Sequence, residues 1–141
     1  MTLPMILAPL FVLVLMTLVI GTLLAASRTP PLLSGEIRPE DVSLRQPNWP
    51  KRALQLGYSF QNQFEMPVLF YVLTVLAIIS KHADVLFVVM AWIFVLTRLA
   101  HAYVHCTSNN LRARGGLFGI GALVLALMWL IFIVRIMLGL P

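Results

Sequence analysis

The sequence predicts an all-α membrane protein, a four-transmembrane-helix bundle, from three observations. The chain has 141 residues, of which 60% are hydrophobic and only 11% are charged, whereas a soluble domain carries roughly a quarter charged residues. Four apolar stretches are each long enough to cross a bilayer, which takes about 20 residues. None of them alternates apolar and polar residues, so we expect helices rather than a closed barrel.

The four predicted helices form one domain over residues 1–141. They cover about residues 3–26, 53–79, 83–106 and 116–138, with a Pro-rich connection at 27–52. The first stretch carries no charge before Arg28. It lacks the basic start of a signal peptide, and its apolar run is longer than a signal peptide's, so we expect it to be retained as a helix.

Apart from Asp84 at the start of the third stretch, the three later stretches each hold one charged residue, and the connections between them are short. These residues are Glu65, Arg98 and Arg135. The second connection is only SKHAD, residues 80–84, so the second and third helices are expected to form a tight antiparallel hairpin. Gly115 and Gly119 lie four residues apart at the start of the fourth helix, which predicts close helix packing there.

Lysine and arginine counts predict the orientation in the membrane. Five basic residues lie in 27–52, and Arg112 and Arg114 lie in 107–114, against Lys81 and Arg135 on the other side. We therefore place the connections 27–52 and 107–114 in the cytoplasm. The net charge of +5 is explained by this topology and does not indicate a nucleic-acid partner.

Polar residues in the second and third predicted helices recur every three or four positions, so each set lies on one helix face. The members are Gln55, Tyr58, Asn62 and Glu65 in one helix and Arg98, His101 and His105 in the next. Glu65 and Arg98 lie at similar depths, roughly 18 and 13 Å from the cytoplasmic helix ends. Two interpretations stay open: a buried Glu65–Arg98 ion pair that fixes helix register, or a polar cavity for a charged ligand.

His101 and His105 are four residues apart and could both bind a metal, with Glu65 as a third ligand. However, HAYVH lacks the glutamate that follows the first histidine of the zinc-protease motif. We therefore predict that these histidines form hydrogen bonds within the bundle, and we predict no metal site. The single cysteine, Cys106, excludes an internal disulfide, and we expect it to serve as a small apolar side chain.

Three motifs and the Pro-rich first connection resemble the MAPEG family, the membrane-associated proteins in eicosanoid and glutathione metabolism. The motifs are NQFEMP at 62–67, RLAH at 98–101 and NNLRARGG at 109–116. The resemblance covers most of the chain and is strongest to a bacterial branch. It implies a protein of the bacterial inner membrane.

The resemblance also implies a homotrimer that holds glutathione between neighbouring subunits, near the cytoplasmic side. By position, Arg112, or alternatively Arg114, would be the catalytic arginine that stabilises the glutathione thiolate. The residues implied in glutathione binding are Tyr58, Asn62, Glu65, Arg98, His101 and His105. The expected function is that of a glutathione-dependent transferase or peroxidase, acting on apolar small-molecule electrophiles that arrive from the lipid bilayer.

Two departures from the family pattern keep other functions open. Tyr58 stands where glutathione-using members carry an arginine, and His105 stands where many have a tyrosine. This favours, as an alternative, a non-catalytic MAPEG-fold protein whose polar stripe serves assembly or lipid binding. A more remote alternative is a small four-helix cation exporter in which Glu65 binds cationic drugs. Such exporters keep their key glutamate in the first helix and lack the long Pro-rich connection.

Overall fold

The structure, a computed structural model, describes all residues from 1 to 141. It confirms the predicted all-α membrane architecture, because four segments are long and apolar enough to cross a membrane. The helices are α1 (Leu3–Leu33), α2 (Pro39–Val42), α3 (Lys51–Asn62), α4 (Met66–Ile79), α5 (Val85–Cys106) and α6 (Leu111–Leu138). The second membrane span consists of α3 and α4 together.

Helix α1 is longer than predicted, because it continues through Pro30 and Pro31 and ends at Leu33 instead of about residue 26. A proline removes the amide that would bond to the carbonyl four residues earlier. For Pro30 that carbonyl belongs to Ala26, which is exposed. The extension makes Arg28 part of the helix and places its side chain beside α3, where a Cβ added to Gly57 would come within 3.0 Å of Arg28 Nη2.

The second span is interrupted, whereas the sequence analysis predicted one helix over 53–79. The amides of Gln63, Phe64 and Glu65 bond to carbonyls three residues back, at 3.0, 3.0 and 3.4 Å. Pro67 accounts for the break, because it has no amide for the Gln63 carbonyl and its ring would clash with that carbonyl in a continuous helix. As a result, Glu65 no longer continues the polar face of α3.

Helix α5 is the most buried of the spans. Phe94 packs against Phe70 of α4, with ring centroids 4.9 Å apart. Leu13 of α1 and Leu125 of α6 belong to the same core. The polar face of α5 therefore lies within the bundle and not toward lipid.

Helix α6 begins at Leu111, five residues before the predicted start at 116. Asn110 is its N-cap, and its Oδ1 accepts hydrogen bonds from the amides of Arg112 and Ala113 at 3.0 and 3.3 Å. Asparagine is among the preferred capping residues, because its side chain satisfies amides that have no partner within the helix. Arg112 and Arg114 therefore lie in the first turn of α6 and not in a loop.

Asp84 joins the α4–α5 turn to the end of α6. Its Oδ1 accepts from the Phe87 amide at 2.9 Å, and its Oδ2 accepts from Arg135 Nη1 at 2.8 Å. Partial burial by itself would raise the pKa of Asp84, but these two hydrogen bonds and the charge of Arg135 outweigh it and hold the pKa below its usual range.

Acid is expected to weaken the contact that Asp84 makes with Arg135. Because the pKa of Asp84 is lower in the folded state, its contribution is complete above the ordinary carboxyl pKa of about 3.9 and is lost as the pH falls through the folded value. Asp84→Asn keeps a capping side chain but removes the charge. We expect its unfolding free energy to lie below that of the wild type by at most about 1 kcal/mol at neutral pH. The two melting curves should converge in acid, and a pH-independent difference would contradict the prediction.

Gly121 makes the close helix contact that the sequence analysis assigned to Gly115 and Gly119. A Cβ added at Gly121 would lie 3.0 Å from Thr97 Oγ1, whereas one added at Gly115 or Gly119 would meet nothing within 4 Å. The prediction that Gly115 and Gly119 make a close helix contact was therefore wrong for contacts within one chain. The approach of α6 to α5 depends on Gly121.

Gly121→Val is expected to lower the unfolding free energy by about 1–3 kcal/mol, the usual cost of overpacking a filled site. Gly119→Val is the matched control, because it changes helix propensity in the same way without a clash. Thermal unfolding in detergent would compare the two variants. Equal melting temperatures would show that the α5–α6 contact can open without cost.

Candidate functional site

A cleft of about 500 Å³ lies between α3, α5 and the start of α6. Six of its ten lining residues carry polar or charged side chains, and Tyr58 adds a hydroxyl. Its lining residues are Tyr58, Gln61, Asn62, Glu65, His101, His105, Leu111, Arg114, Gly115 and Phe118. The volume is within the range of small-molecule sites, about 300–1,000 Å³.

The cleft brings together six of the eight candidate residues that the sequence analysis named. Tyr58, Asn62, Glu65, His101 and His105 all line it, together with Arg114.

Of the two arginines proposed for catalysis, Arg114 lines the cleft and Arg112 does not. On α6, positions 111, 114, 115 and 118 lie on one helix face, and all four belong to the wall. Arg112 points elsewhere and is exposed. Because α6 already begins at Leu111, Arg114 and not Arg112 lies on the helix face that lines the cleft.

Arg98 lies behind the cleft wall and is almost completely buried, with 1% of its surface exposed. Its Nη2 donates to the backbone oxygen of Asn62 at 3.4 Å, and its Nε has no hydrogen-bond partner. A buried charge with so few partners is costly in a membrane protein.

The Glu65–Arg98 ion pair considered from the sequence is absent. The ion pairs in the chain join Arg38 to Asp41 and Arg135 to Asp84. Glu65 lies in the break between α3 and α4 and is exposed at the cleft. The ion-pair interpretation was therefore wrong for the chain, in which Glu65 faces the cleft and Arg98 lies behind its wall.

His101 and His105 lie one turn apart on α5, with ring centroids 5.8 Å apart. They are 2% and 6% exposed, and neither Nδ1 atom has a hydrogen-bond partner. The predicted hydrogen bonds within the bundle are therefore missing at these atoms. No three His, Cys, Asp or Glu side chains come together as a metal-binding group. The free imidazole nitrogens are suited to a ligand that carries its own polar groups.

The end of α5 is fixed by side chains of α3. Gln55 Nε2 donates to the carbonyls of His105 and Thr107, at 2.7 and 3.1 Å. Arg52 donates to the carbonyl of Cys106. These bonds satisfy carbonyls that lack partners at a helix end, and they hold His105 in place. Gln55, which the sequence placed on the polar stripe, therefore positions the site without lining it.

Arg114 supplies an uncompensated charge to the cleft. Its Nη1 donates to the side-chain oxygen of Asn109 at 2.8 Å, and this neutral partner fixes the guanidinium without balancing it. With Arg98 close behind the wall, two guanidinium groups outnumber the carboxylate of Glu65. The arrangement favours a small molecule that carries more negative than positive groups.

Four lining residues escaped the sequence analysis, namely Gln61, Leu111, Gly115 and Phe118. The last three belong to α6, which was predicted to start later. The capping residue Asn110 was the available signal for the earlier start. Gln61 lies on α3 beside the motif residue Asn62 and carries no comparable signal.

Comparison with known proteins gave one match. A family model described as "MAPEG family" matches residues 3–134. No curated protein and no solved structure matches the chain.

Proposed function

The chain belongs to the MAPEG family, and on this basis we propose that it is an integral membrane glutathione-dependent transferase or peroxidase acting on apolar electrophiles. The observation that carries the proposal is that Arg114 and Glu65 line the same cleft, with the buried Arg98 behind its wall. Glutathione has two carboxylates, one amino group and one thiol. A site with an excess of cations and one carboxylate complements these groups.

The charged groups and the two histidines each have a role in this proposal. Glu65 pairs with the amino group of glutathione. Arg98, together with the free Nδ1 atoms of His101 and His105, binds the carboxylates of glutathione by charge-assisted hydrogen bonds. Arg114 lies beside the sulfur and favours its ionised form, since a nearby cation stabilises a thiolate. Arg114 thus takes the role for which the sequence also offered Arg112.

The reaction needs no covalent bond to the chain. Glutathione supplies the nucleophilic sulfur, which bonds to an electrophilic carbon while a leaving group departs, or adds to an activated double bond. With a lipid hydroperoxide, the thiolate attacks the terminal oxygen, the O–O bond breaks and the lipid alcohol is released. The resulting glutathione sulfenic acid is reduced by a second glutathione, which gives glutathione disulfide and water. The chain holds the sulfur near the membrane, so that an apolar co-substrate can reach it from the bilayer. Binding and orientation are the contributions expected of this cleft.

The proposal includes a homotrimer in the bacterial inner membrane, with residues 27–52 and 107–114 on the cytoplasmic side. The cleft is open on one side within a single chain, and a neighbouring subunit would close it over glutathione. Many large apolar side chains of α1 and α6 remain exposed, and they are available to lipid and to neighbouring copies.

Calorimetric titration of glutathione into the detergent-purified protein tests the proposal. We expect saturable binding that Glu65→Gln weakens, because the variant keeps the shape of the side chain and removes its charge. Absence of binding at several millimolar, in a protein that remains folded and assembled, would overturn it. If glutathione binds, the next experiment is an absorbance assay of the protein with glutathione and a set of electrophiles.

The second candidate is a non-catalytic MAPEG protein whose polar cleft serves assembly or lipid binding. It is favoured by Tyr58, which is 54% exposed and stands where glutathione-using members have an arginine. The same titration separates the two candidates. Cation export fits the cleft less well, because two guanidinium groups repel a cationic drug.

A further inference from the structure

Asn109 lies in the short connection between the end of α5 at Cys106 and the start of α6 at Leu111. Its backbone is left-handed, with φ of 52°. Its amide donates to the carbonyl of Val104 at 2.7 Å, which satisfies a carbonyl that has no partner at the end of α5. Glycine, asparagine and aspartate adopt this backbone conformation most readily. The backbone therefore restricts position 109 to few residue types.

The side chain of Asn109 has a partner of its own, because its Oδ1 accepts from Arg114 Nη1 at 2.8 Å. The next residue, Asn110, has a different task, since its side chain caps the first amides of α6. Of the three residue types that suit the backbone at 109, glycine offers no acceptor and aspartate offers a charged one. Asparagine combines the required conformation with a neutral acceptor for the guanidinium.

No carboxylate of the chain forms an ion pair with Arg114. The two ion pairs join other residues, and Glu65 is the only carboxylate that lines the cleft. The remaining titratable groups near Arg114 are Tyr58, His101 and His105 in the wall and Arg98 behind it. The charge of Arg114 acts on both histidines, so it reaches into the cleft. A carboxylate at position 109 would be the first direct counter-ion of this arginine.

We propose that Asn109 is a positioning residue that holds the guanidinium of Arg114 at the cleft and leaves its full charge for an anionic sulfur. This role rests on the proposed function, in which Arg114 lies beside the glutathione thiol. A nearby cation lowers the pKa of a thiol by stabilising the thiolate, and a carboxylate bound to that cation opposes the effect. The residue at 109 thus sets how much of the bound glutathione is ionised at neutral pH.

The ionisation of bound glutathione tests this role, read from the ultraviolet absorbance of the thiolate as a function of pH. Asn109→Asp keeps the backbone conformation and an acceptor but adds a charge, and we expect the pH of half-ionisation to rise by about one unit. Asn109→Gly removes the acceptor but leaves Arg114 charged, so its shift should be smaller. Ser108→Asp is the matched control, because it adds the same charge at an exposed neighbour while Asn109 remains the partner of Arg114.

Equal shifts for Asn109→Asp and Ser108→Asp would overturn the role, because any nearby charge would then have the same effect. A shift for Asn109→Gly as large as that for Asn109→Asp would overturn it too, since the neutrality of the acceptor would not matter. Thermal unfolding in detergent establishes that each variant is folded before it is titrated.

Calorimetry with S-methylglutathione, which cannot form a thiolate, separates the sulfur from the rest of the ligand. At neutral pH, Asn109→Asp should weaken the binding of glutathione more than that of S-methylglutathione. Equal weakening would place Arg114 at a carboxylate of the ligand and overturn the role of Asn109 alone. If the wild type binds neither ligand, the proposed function fails and this role falls with it.

Discussion

Arg114→Ala is expected to weaken glutathione binding by about tenfold to a hundredfold, whereas Arg112→Ala changes it by about twofold or less. The reason is geometric, because Arg114 lines the cleft and Arg112 does not. A hydrogen bond to a charged group contributes about 1.5–3 kcal/mol, which corresponds to that range of affinity.

Arg112→Ala is a closely matched control, since both variants remove one arginine from the first turn of α6. Calorimetry on the two variants and the wild type under one set of conditions gives the comparison. A larger loss for Arg112→Ala would contradict the assignment. It would mean that the assembled protein turns α6 so that Arg112 faces the sulfur.

Arg98→Met is expected to raise the unfolding free energy by about 2 kcal/mol and to remove glutathione binding. Replacing a buried ion pair with apolar side chains of similar volume is often stabilising, by about 1–4 kcal/mol, and we expect the same sign for a buried charge that has no ion-pair partner. Arg98 has one long hydrogen bond and an Nε without a partner, so little is lost with it. A gain in stability together with a loss of binding would support the proposal that Arg98 binds a ligand.

Thermal unfolding in detergent without glutathione measures this effect, and Arg98→Lys is the control because it keeps the charge. We expect Arg98→Met to melt above the wild type and Arg98→Lys to melt at or below it. A fall in melting temperature for Arg98→Met alone would show that Arg98 is well paired in the assembled protein. Its role would then be structural.

The fold class and the polar faces could be predicted from the sequence because the signals are local. A span needs about 20 apolar residues with all backbone groups bonded inside the segment, so the number and type of spans follow from composition and length. Helical spacing placed Arg98, His101 and His105 on one face of α5, and all three are buried there. Four of the ten lining residues, namely Tyr58, Asn62, His101 and His105, lie on the two helix faces that this spacing predicted.

The rest depended on how the helices end and meet. Beside the break at Gln63–Glu65, Glu65 faces the cleft while Arg98 lies behind the cleft wall, and the two form no ion pair. Asn110 started α6 early and brought Arg114, rather than Arg112, to the cleft. The sequence by itself determined which residues are polar, at what depth and on which helix face. Only the tertiary structure decided which of them meet, because one residue's shift along a helix turns a side chain by about 100°.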